Sequence, residues 1–105
     1  MELRHLRYFI AVAEEGSFIN AAERRLHTSQ PSLSRQIRDL ESEVGIKLLE
    51  RKARGIALTA AGQVFLDHAR LVLMQLDAAG EAARRTDQPK KPGFVVGFWG
   101  QSPAL

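Results

Sequence analysis

Residues 29–38 of the chain read SQPSLSRQIR, and this stretch decides the predicted fold. Leu33 and Ile37 within it, followed by Leu40, recur at spacings of four and three residues, which is typical of one buried face of an α-helix. The other side of the stretch carries Gln30, Ser32, Ser34, Arg35 and Arg38, which are basic or hydrogen-bonding, and residues 29–38 include no acid. Such a helix packs its apolar face on a small core and leaves an acid-free polar face for another partner.

Two further helices are predicted before this stretch. Apolar residues at helical spacing indicate a first helix over residues 3–15, which stops at Gly16. Ser17 is a good N-cap for a second helix, which is predicted over residues 18–26. The second and third helices are then joined by only three polar residues, HTS, as in a helix-turn-helix motif.

The ends of the third helix are marked by residues with known capping preferences. Thr28 or Ser29 can cap its N-terminus, and Pro31 is tolerated in the first turn because its missing N–H costs nothing there. Gly45 follows Val44 and is typical of the position just past a helix C-terminus. The third helix is therefore predicted to run to about residue 44.

The periodicity changes after Gly45. Two short apolar segments flank the basic stretch RKARG at residues 51–55, which predicts a two-stranded ribbon, a wing, with a basic tip. Thr59 then caps a long helix predicted over residues 60 to about 85. The fold class is thus mainly α: a winged helix-turn-helix followed by a long linker helix.

The linker helix carries an apolar stripe close to a heptad repeat, which indicates dimerisation. The predicted dimerisation residues are Phe65, Ala69, Val72, Leu73, Leu76, Ala79 and Ala83. The alternative for part of this stripe is packing on the first helix of the same chain. A helix of about 26 residues extends ~39 Å, which is comparable with the ~34–36 Å between half-sites one DNA turn apart.

The predicted domain organisation has four parts. Residues 1–58 form the winged helix-turn-helix domain and residues 59–86 the linker helix. Two prolines and two lysines in residues 87–93 indicate a hinge. The continuously apolar FVVGFW within residues 94–105 is predicted to be the truncated first strand of a further domain, or alternatively a tail docked on the helices.

Charge is clustered, although the net charge is only +3. Residues 24–38 hold four arginines and no acid, and RKAR at residues 51–54 adds three positive charges. Two basic patches in one small domain favour a nucleic-acid partner over an ordinary solvated surface. There is no cysteine, which fits a reducing compartment, and no apolar stretch approaches the ~20 residues that span a bilayer. No membrane association is predicted.

These features predict a DNA interface in which the third helix enters the major groove and the wing meets the backbone or the minor groove. Gln30 suits the edge of adenine and Arg35 that of guanine, while Pro31 and Ser32 can contact a thymine methyl group. Ser34 and Arg38 are predicted to meet phosphates. The full predicted set is Gln30, Pro31, Ser32, Ser34, Arg35, Arg38, Arg51, Lys52 and Arg54, with Arg54 assigned to the minor groove.

The segments MELRHLRYF, AAERRLHTSQPSLSRQIRDLE, GIKLLER and LTAAG, in this order, closely resemble the amino-terminal part of LysR-type transcriptional regulators. The resemblance covers residues 1 to about 90, and PGFVVGFW resembles the first strand of that family's ligand-binding domain. It implies a cytoplasmic bacterial regulator that binds double-stranded DNA with inverted-repeat half-sites as a homodimer, with a tetramer for the intact protein. A small-molecule inducer is implied only for the missing domain, and no cofactor or metal is expected.

One departure from the family pattern lies in AAERRLHTSQ, which holds one more residue between the alanine pair and Ser-Gln than the commonest spacing. The extra residue is expected to lengthen the end of the second helix. A contact of Arg24 or Arg25 with the DNA backbone is therefore no better supported than a solubilising surface role.

Two other function classes remain as alternatives. The three histidines are scattered and no cluster offers a nucleophile, so an enzyme is not expected. A basic helical adaptor, in which the long helix is a coiled coil for protein interaction, is the stronger rival. Salt dependence separates it from DNA binding, because neutralising several phosphates makes affinity fall steeply with salt.

Overall fold

The computed structural model describes residues 1–87 of the chain, and these residues contain four helices and one two-stranded sheet. Helix α2 is α-helical over Phe18–Asn20 and continues as a π-helical segment over Ala21–Leu26. The other elements are α1 (Leu3–Glu15), α3 (Gln30–Val44), β1 (Leu49–Lys52), β2 (Gly55–Leu58) and α4 (Ala60–Asp87). The predicted fold class, a mainly helical winged helix-turn-helix with a long last helix, is confirmed.

The core lies where α1, α2, α3 and the start of α4 meet. Its largest fully buried side chains are Phe9, Val12, Leu33, Leu40 and Leu48. The apolar positions of SQPSLSRQIRDL are thus all internal, as their spacing predicts. Each fully buried side chain of this size contributes about 1.5–3 kcal/mol relative to exposure, which seats α3 firmly on the core.

The ends of α3 are fixed by the residues that the sequence indicates. The Ser29 hydroxyl accepts a hydrogen bond from the Ser32 N–H at 3.2 Å, so Ser29 rather than Thr28 is the N-cap. Pro31 lies in the first turn, and Gly45 ends the helix with φ of 86°. This left-handed conformation costs glycine little and other residues about 1–2 kcal/mol.

The second half of α2 is π-helical. The helix ends at Leu26 as predicted, and residues Ala21–Leu26 form the π-helical segment. A π-helical turn forms i→i+5 hydrogen bonds and so holds one more residue than an α-helical turn. Ala22 remains buried, and its carbonyl accepts from the N–H groups of His27 and of Thr28, the latter at 3.1 Å.

The wing is an antiparallel pair in which Leu49 lies opposite Leu58 and Lys52 opposite Gly55. Gly55 has φ of 112°, and a Cβ atom added there would lie 2.5 Å from the carbonyl oxygen of Gly16. The next residue, Ile56, donates its N–H to the same oxygen at 3.1 Å. The wing is therefore fastened by its backbone to the turn between α1 and α2.

Helix α4 begins against the segment that precedes β1. The Thr59 hydroxyl accepts from the Gly62 N–H at 2.9 Å and donates to the Lys47 carbonyl at 2.8 Å. The Thr59 N–H donates to the Leu48 carbonyl at 3.0 Å. Gly62 is buried because Leu48 lies directly against its α-carbon. The Thr59 cap that the sequence predicts is thus also a tie to the wing.

The chain divides into two compact units, and the boundary falls within α4 between Gln75 and Leu76. The first unit, Met1–Gln75, contains the whole helix-turn-helix, the wing and the first half of α4. In the second, residues 76–87 are helical, which extends α4 one residue past the predicted boundary at 86. The rest of the predicted hinge and the predicted strand in residues 94–105 lie outside the described residues.

Candidate nucleic-acid interface

The outer face of α3 holds the side chains that the sequence assigns to DNA. Gln30, Pro31, Arg35 and Arg38 are exposed, whereas Ser32 and Ser34 are half-buried. The opposite face carries the core residues of the helix, so the division into an apolar and a polar side is sharp. The structure brings all six predicted α3 residues to positions with solvent access.

The electrostatics of this face favour an anionic partner. Neither Arg35 nor Arg38 forms a salt bridge with any residue in the described range 1–87. Both guanidinium groups therefore keep their donors for a carboxylate, a phosphate or a base edge. The helix N-terminus adds a partial positive charge beside Gln30. No acidic side chain occurs in the first turn of α3 to neutralise it.

The three cations of the wing have different surroundings. Lys52 pairs with Glu50 at 3.1 Å on the exposed strand β1. Arg51 lies over the ring of Phe18, with 5.6 Å between the guanidinium carbon and the ring centroid. Arg54 is exposed in the turn at the tip and makes no salt bridge within the described residues. The sequence pattern of four residues, RKAR, could not distinguish these three environments.

A glutamate of α3 holds the wing in place relative to the reading helix. Oε2 of Glu41 accepts hydrogen bonds from the N–H of Leu48 at 2.7 Å and of Leu49 at 3.1 Å. The side chain of Glu41 is only 12% exposed, so these charge-assisted bonds are partly shielded from water. No role was assigned to Glu41 from the sequence. The sequence did offer one indication that Glu41 is partly buried: it directly follows Leu40, a core residue of α3.

One arginine of the π-helical segment of α2 is paired with α1. Arg25 donates to Glu14 at 2.8 Å and lies 3.7 Å from Glu15, so it is committed to α1. Arg70 of α4 donates to the other oxygen of Glu14 at 2.7 Å. The guanidinium groups of Arg70 and, second, Arg25 hold the pKa of the Glu14 carboxyl below its ordinary value of 4.5, although partial burial acts in the opposite direction. Arg24 is exposed too, but it makes no salt bridge within residues 1–87.

The predicted dimerisation residues in the first half of α4 divide between two surfaces. Ala69 is only 2% exposed and Leu73 is half-buried against the core of the same chain. Phe65 packs edge-to-face on Phe9, with ring centroids 5.3 Å apart. Burial in its own domain therefore removes Ala69 from the surface available to a partner, and it leaves Phe65 and Leu73 only partly accessible. Val72 is exposed.

Three exposed apolar residues of this half were absent from the predicted set. Val64, Leu71 and Met74 are 60%, 56% and 64% exposed. Val64 and Leu71 are themselves seven residues apart, so the same heptad rule could have found them. In residues 76–87 Leu76, Ala79 and Ala83 are exposed, and Glu81 pairs with Arg84 at 3.2 Å.

Two other kinds of site were searched for in residues 1–87. No group of three or more His, Cys, Asp or Glu side chains there is arranged to hold a metal ion. None of the helices in this range combines the length and apolar character that crossing a membrane requires.

The chain has the three features of a winged helix-turn-helix protein. Helix α3 is exposed on one face, a short joint connects it to α2, and the wing is fastened beside it. The sequence of residues 3–63 matches the family described as bacterial regulatory helix-turn-helix protein, lysR family. The chain belongs to this family.

Relatives and solved structures agree with this assignment. The chain is 54% identical over 102 residues to the HTH-type transcriptional regulator AlsR of Bacillus subtilis (strain 168), covering 97% of this chain and 33% of AlsR. It is 55% identical over 98 residues to the Hca operon transcriptional activator HcaR of Escherichia coli (strain K12), covering 93% and 32%. The chain thus spans about a third of the length of these curated relatives.

The similar crystal structures include complexes with DNA. One is the CbnR_DBD–DNA complex, with a TM-score of 0.79, 50% identity and coverage of 84% of this chain and 100% of that one. Another is the BenM_DBD/catB site 1 DNA complex, with a TM-score of 0.81, 46% identity and coverage of 87% and 100%. The described fold is therefore one that CbnR and BenM use when bound to DNA.

Proposed function

We propose that the chain is the DNA-binding part of a LysR-type transcriptional regulator and reads double-stranded DNA with α3 in the major groove. The exposed face of α3, with two arginines free of salt bridges in residues 1–87, is the observation that supports this most strongly. The wing lies on the sugar-phosphate backbone, and Arg54 at its tip reaches the minor groove. The protein acts in the cytoplasm as a binding protein and not as an enzyme.

The reading residues have separate roles in this proposal. Arg35 grips the O6 and N7 atoms of guanine, and Gln30 pairs with adenine. Pro31 and Ser32 contact a thymine methyl group. Ser34, Arg38, Arg51 and Lys52 meet phosphates and set the register of the helix on the duplex without carrying sequence information.

The proposed DNA-bound state is a homodimer on an inverted-repeat operator. Exposed apolar side chains on the first half of α4, among them Leu71 and Val72, support pairing with a second copy, because removing such a stripe from water is favourable. The intact protein is proposed to be a tetramer whose further domain binds a small-molecule inducer. The described residues would then bind DNA without responding to that inducer.

Selection of duplexes from a random pool, followed by binding measurements on variants, tests the proposal. Arg35→Ala should cost about 1–3 kcal/mol on the selected duplex and flatten the preference for it over a duplex changed at one guanine. Arg84→Ala, which removes an arginine paired with Glu81, is the matched control and should keep both affinity and preference. An equal loss on all duplexes would instead make Arg35 a phosphate contact.

Two measurements distinguish the proposal from a protein-interaction adaptor. Binding through several phosphates should weaken by orders of magnitude between low and moderate salt, whereas an apolar coiled-coil interface should not. Leu71→Glu should convert dimers to monomers in sedimentation experiments, while the volume-conserving Leu71→Met should leave them dimeric. Retention of the dimer by Leu71→Glu would refute this face of α4 as the interface.

A further inference from the structure

Phe18 lies at the edge of the core. It is the first residue of α2, directly after the Ser17 N-cap, and its ring packs only partly against the core. Arg51, which is 33 positions later in the sequence, places its guanidinium group over the ring at 5.6 Å. This distance is within the ≈ 6 Å at which a cation is attracted by the face of an aromatic ring.

The pair lies beside the reading helix and not at the tip of the wing. Phe18, Arg51 and Gln30 line the same cleft of about 210 Å³, which is bounded by α2, the first residue of α3 and both strands of the wing. A DNA strand that passes between α3 and the wing would therefore run along this cleft. The N-terminus of α3, with its partial positive charge, lies at one side of it.

An aromatic partner leaves the arginine free to bind an anion. A carboxylate partner would neutralise Arg51 and compete with phosphate, as Glu50 does for Lys52. A ring restricts the direction of the side chain without occupying its N–H donors or cancelling its charge. Ordering the side chain before binding reduces the conformational entropy that is lost when the complex forms.

We propose that Phe18 is a positioning residue that presents Arg51 to a phosphate of the strand passing between α3 and the wing. The proposal rests on the proposed DNA-binding function and adds a residue that does not itself touch DNA. It separates the wing cations: Arg51 has a preset direction and keeps its donors, Lys52 is paired with Glu50, and Arg54 makes no salt bridge within residues 1–87.

The role of the ring in orienting Arg51 is separable from support of the wing. The backbone of β2 is fastened by the hydrogen bond from Ile56 to Gly16, and the start of β1 by the carboxylate of Glu41. Neither contact uses the aromatic ring. Replacing Phe18 by leucine keeps an apolar side chain on the core and removes only the π face.

The test combines four variants with a duplex selected for binding to the wild-type chain. Phe18→Leu should weaken binding about two- to five-fold, the equivalent of one exposed cation–π contact, and Phe18→Tyr should restore wild-type affinity. Arg51→Ala should weaken binding about ten-fold and reduce the slope of log affinity against log salt by about 0.9, because one phosphate contact is lost. Phe18→Leu should leave that slope unchanged, and it should have no further effect in the Arg51→Ala background.

A measurement on the unsubstituted chain complements the variants. The side-chain NMR resonances of Arg51 should be shifted by the ring current of Phe18 in the absence of DNA, and Phe18→Leu should abolish that shift. Three results would each overturn the positioning role alone. The first is equal DNA affinity for Phe18→Leu and Phe18→Tyr, and the second is an undiminished effect of Phe18→Leu in the Arg51→Ala background. The third is the absence of a ring-current shift for the Arg51 side chain. Failure to select any duplex would overturn the proposed function, and this inference with it.

Discussion

Replacing Gly62 by alanine should destabilise the domain, although alanine is the better helix former. A Cβ atom added at Gly62 would lie 2.9 Å from the carbonyl carbon of Leu48 and closer still to its oxygen. Carbon atoms pack best at about 3.5–4.0 Å, so α4 and the segment before β1 must separate by about 1 Å. Neither side can yield through a flexible side chain, because the obstacle is backbone.

The cost follows from what this separation breaks. The hydrogen bond from the Thr59 N–H to the Leu48 carbonyl is 3.0 Å long and would stretch to about 4 Å, beyond the range of a hydrogen bond. Its loss costs about 1 kcal/mol, and the overpacked contact a further 1–3 kcal/mol. Alanine returns roughly 0.5–1 kcal/mol of helix propensity. The net loss of unfolding free energy should be about 1–3 kcal/mol, and the melting temperature should fall by about 4–8 °C per kcal/mol.

Gly80 in the same helix supplies the matched control. A Cβ atom there would meet only the flexible side chain of Arg84, at 3.3 Å. Gly80→Ala should therefore raise the unfolding free energy by about 0.5–1 kcal/mol, the opposite sign from Gly62→Ala. Thermal unfolding followed by circular dichroism measures both. If Gly62→Ala proves as stable as Gly80→Ala, the close approach of α4 to Leu48 is not the reason for glycine at position 62.

Two further predictions concern buried and paired carboxylates. Glu41→Gln should lower the unfolding free energy by about 1 kcal/mol, because two backbone N–H groups lose an ionised acceptor. Glu23→Gln changes an exposed glutamate and is the control. Equal denaturation midpoints for the two variants would contradict the prediction. The pKa of Glu14 is lowered by folding, so its contribution is complete above pH 4.5 and is lost as the pH falls through the lowered folded-state value. Glu14→Gln should therefore be less stable than wild type at about pH 6 and equally stable at about pH 2, and a constant difference at both would rule out the ion pairs as the cause.

The elements that local sequence determines were predicted well. The bounds of α1 and α3 follow from apolar spacing and from capping residues such as Ser29 and Gly45, because capping is a contact between neighbours in the chain. The π-helical segment of α2 was not predicted. π-helical turns are rare, and neither apolar spacing nor a capping residue in the sequence marks the change from α- to π-helical hydrogen bonding.

The parts of the site that depend on tertiary proximity could not be predicted. Arg51 and Phe18 are far apart in sequence, and only the docking of the wing on the α1–α2 turn brings them together. The exposed surface of α4 was hard to predict for a different reason. Apolar residues occur on two of its faces, and periodicity alone does not say which face belongs to the core, so the predicted dimerisation set includes the buried Ala69 and leaves out the exposed Leu71.

The wider turn in α2 affects how this chain is compared with other proteins of its family. The π-helical segment begins at the buried alanine pair and is followed by the Ser29 cap of α3, so both of its ends are anchored. A relative with one residue fewer needs a gap when its sequence is aligned with this one. If the gap is placed after Leu26, Arg24 and Arg25 are each compared with a residue one position away. The exposed Arg24 is then confused with Arg25, which pairs with Glu14. A helix that can take up an insertion in this way also lets chain length vary close to a DNA-reading surface while that surface stays unchanged.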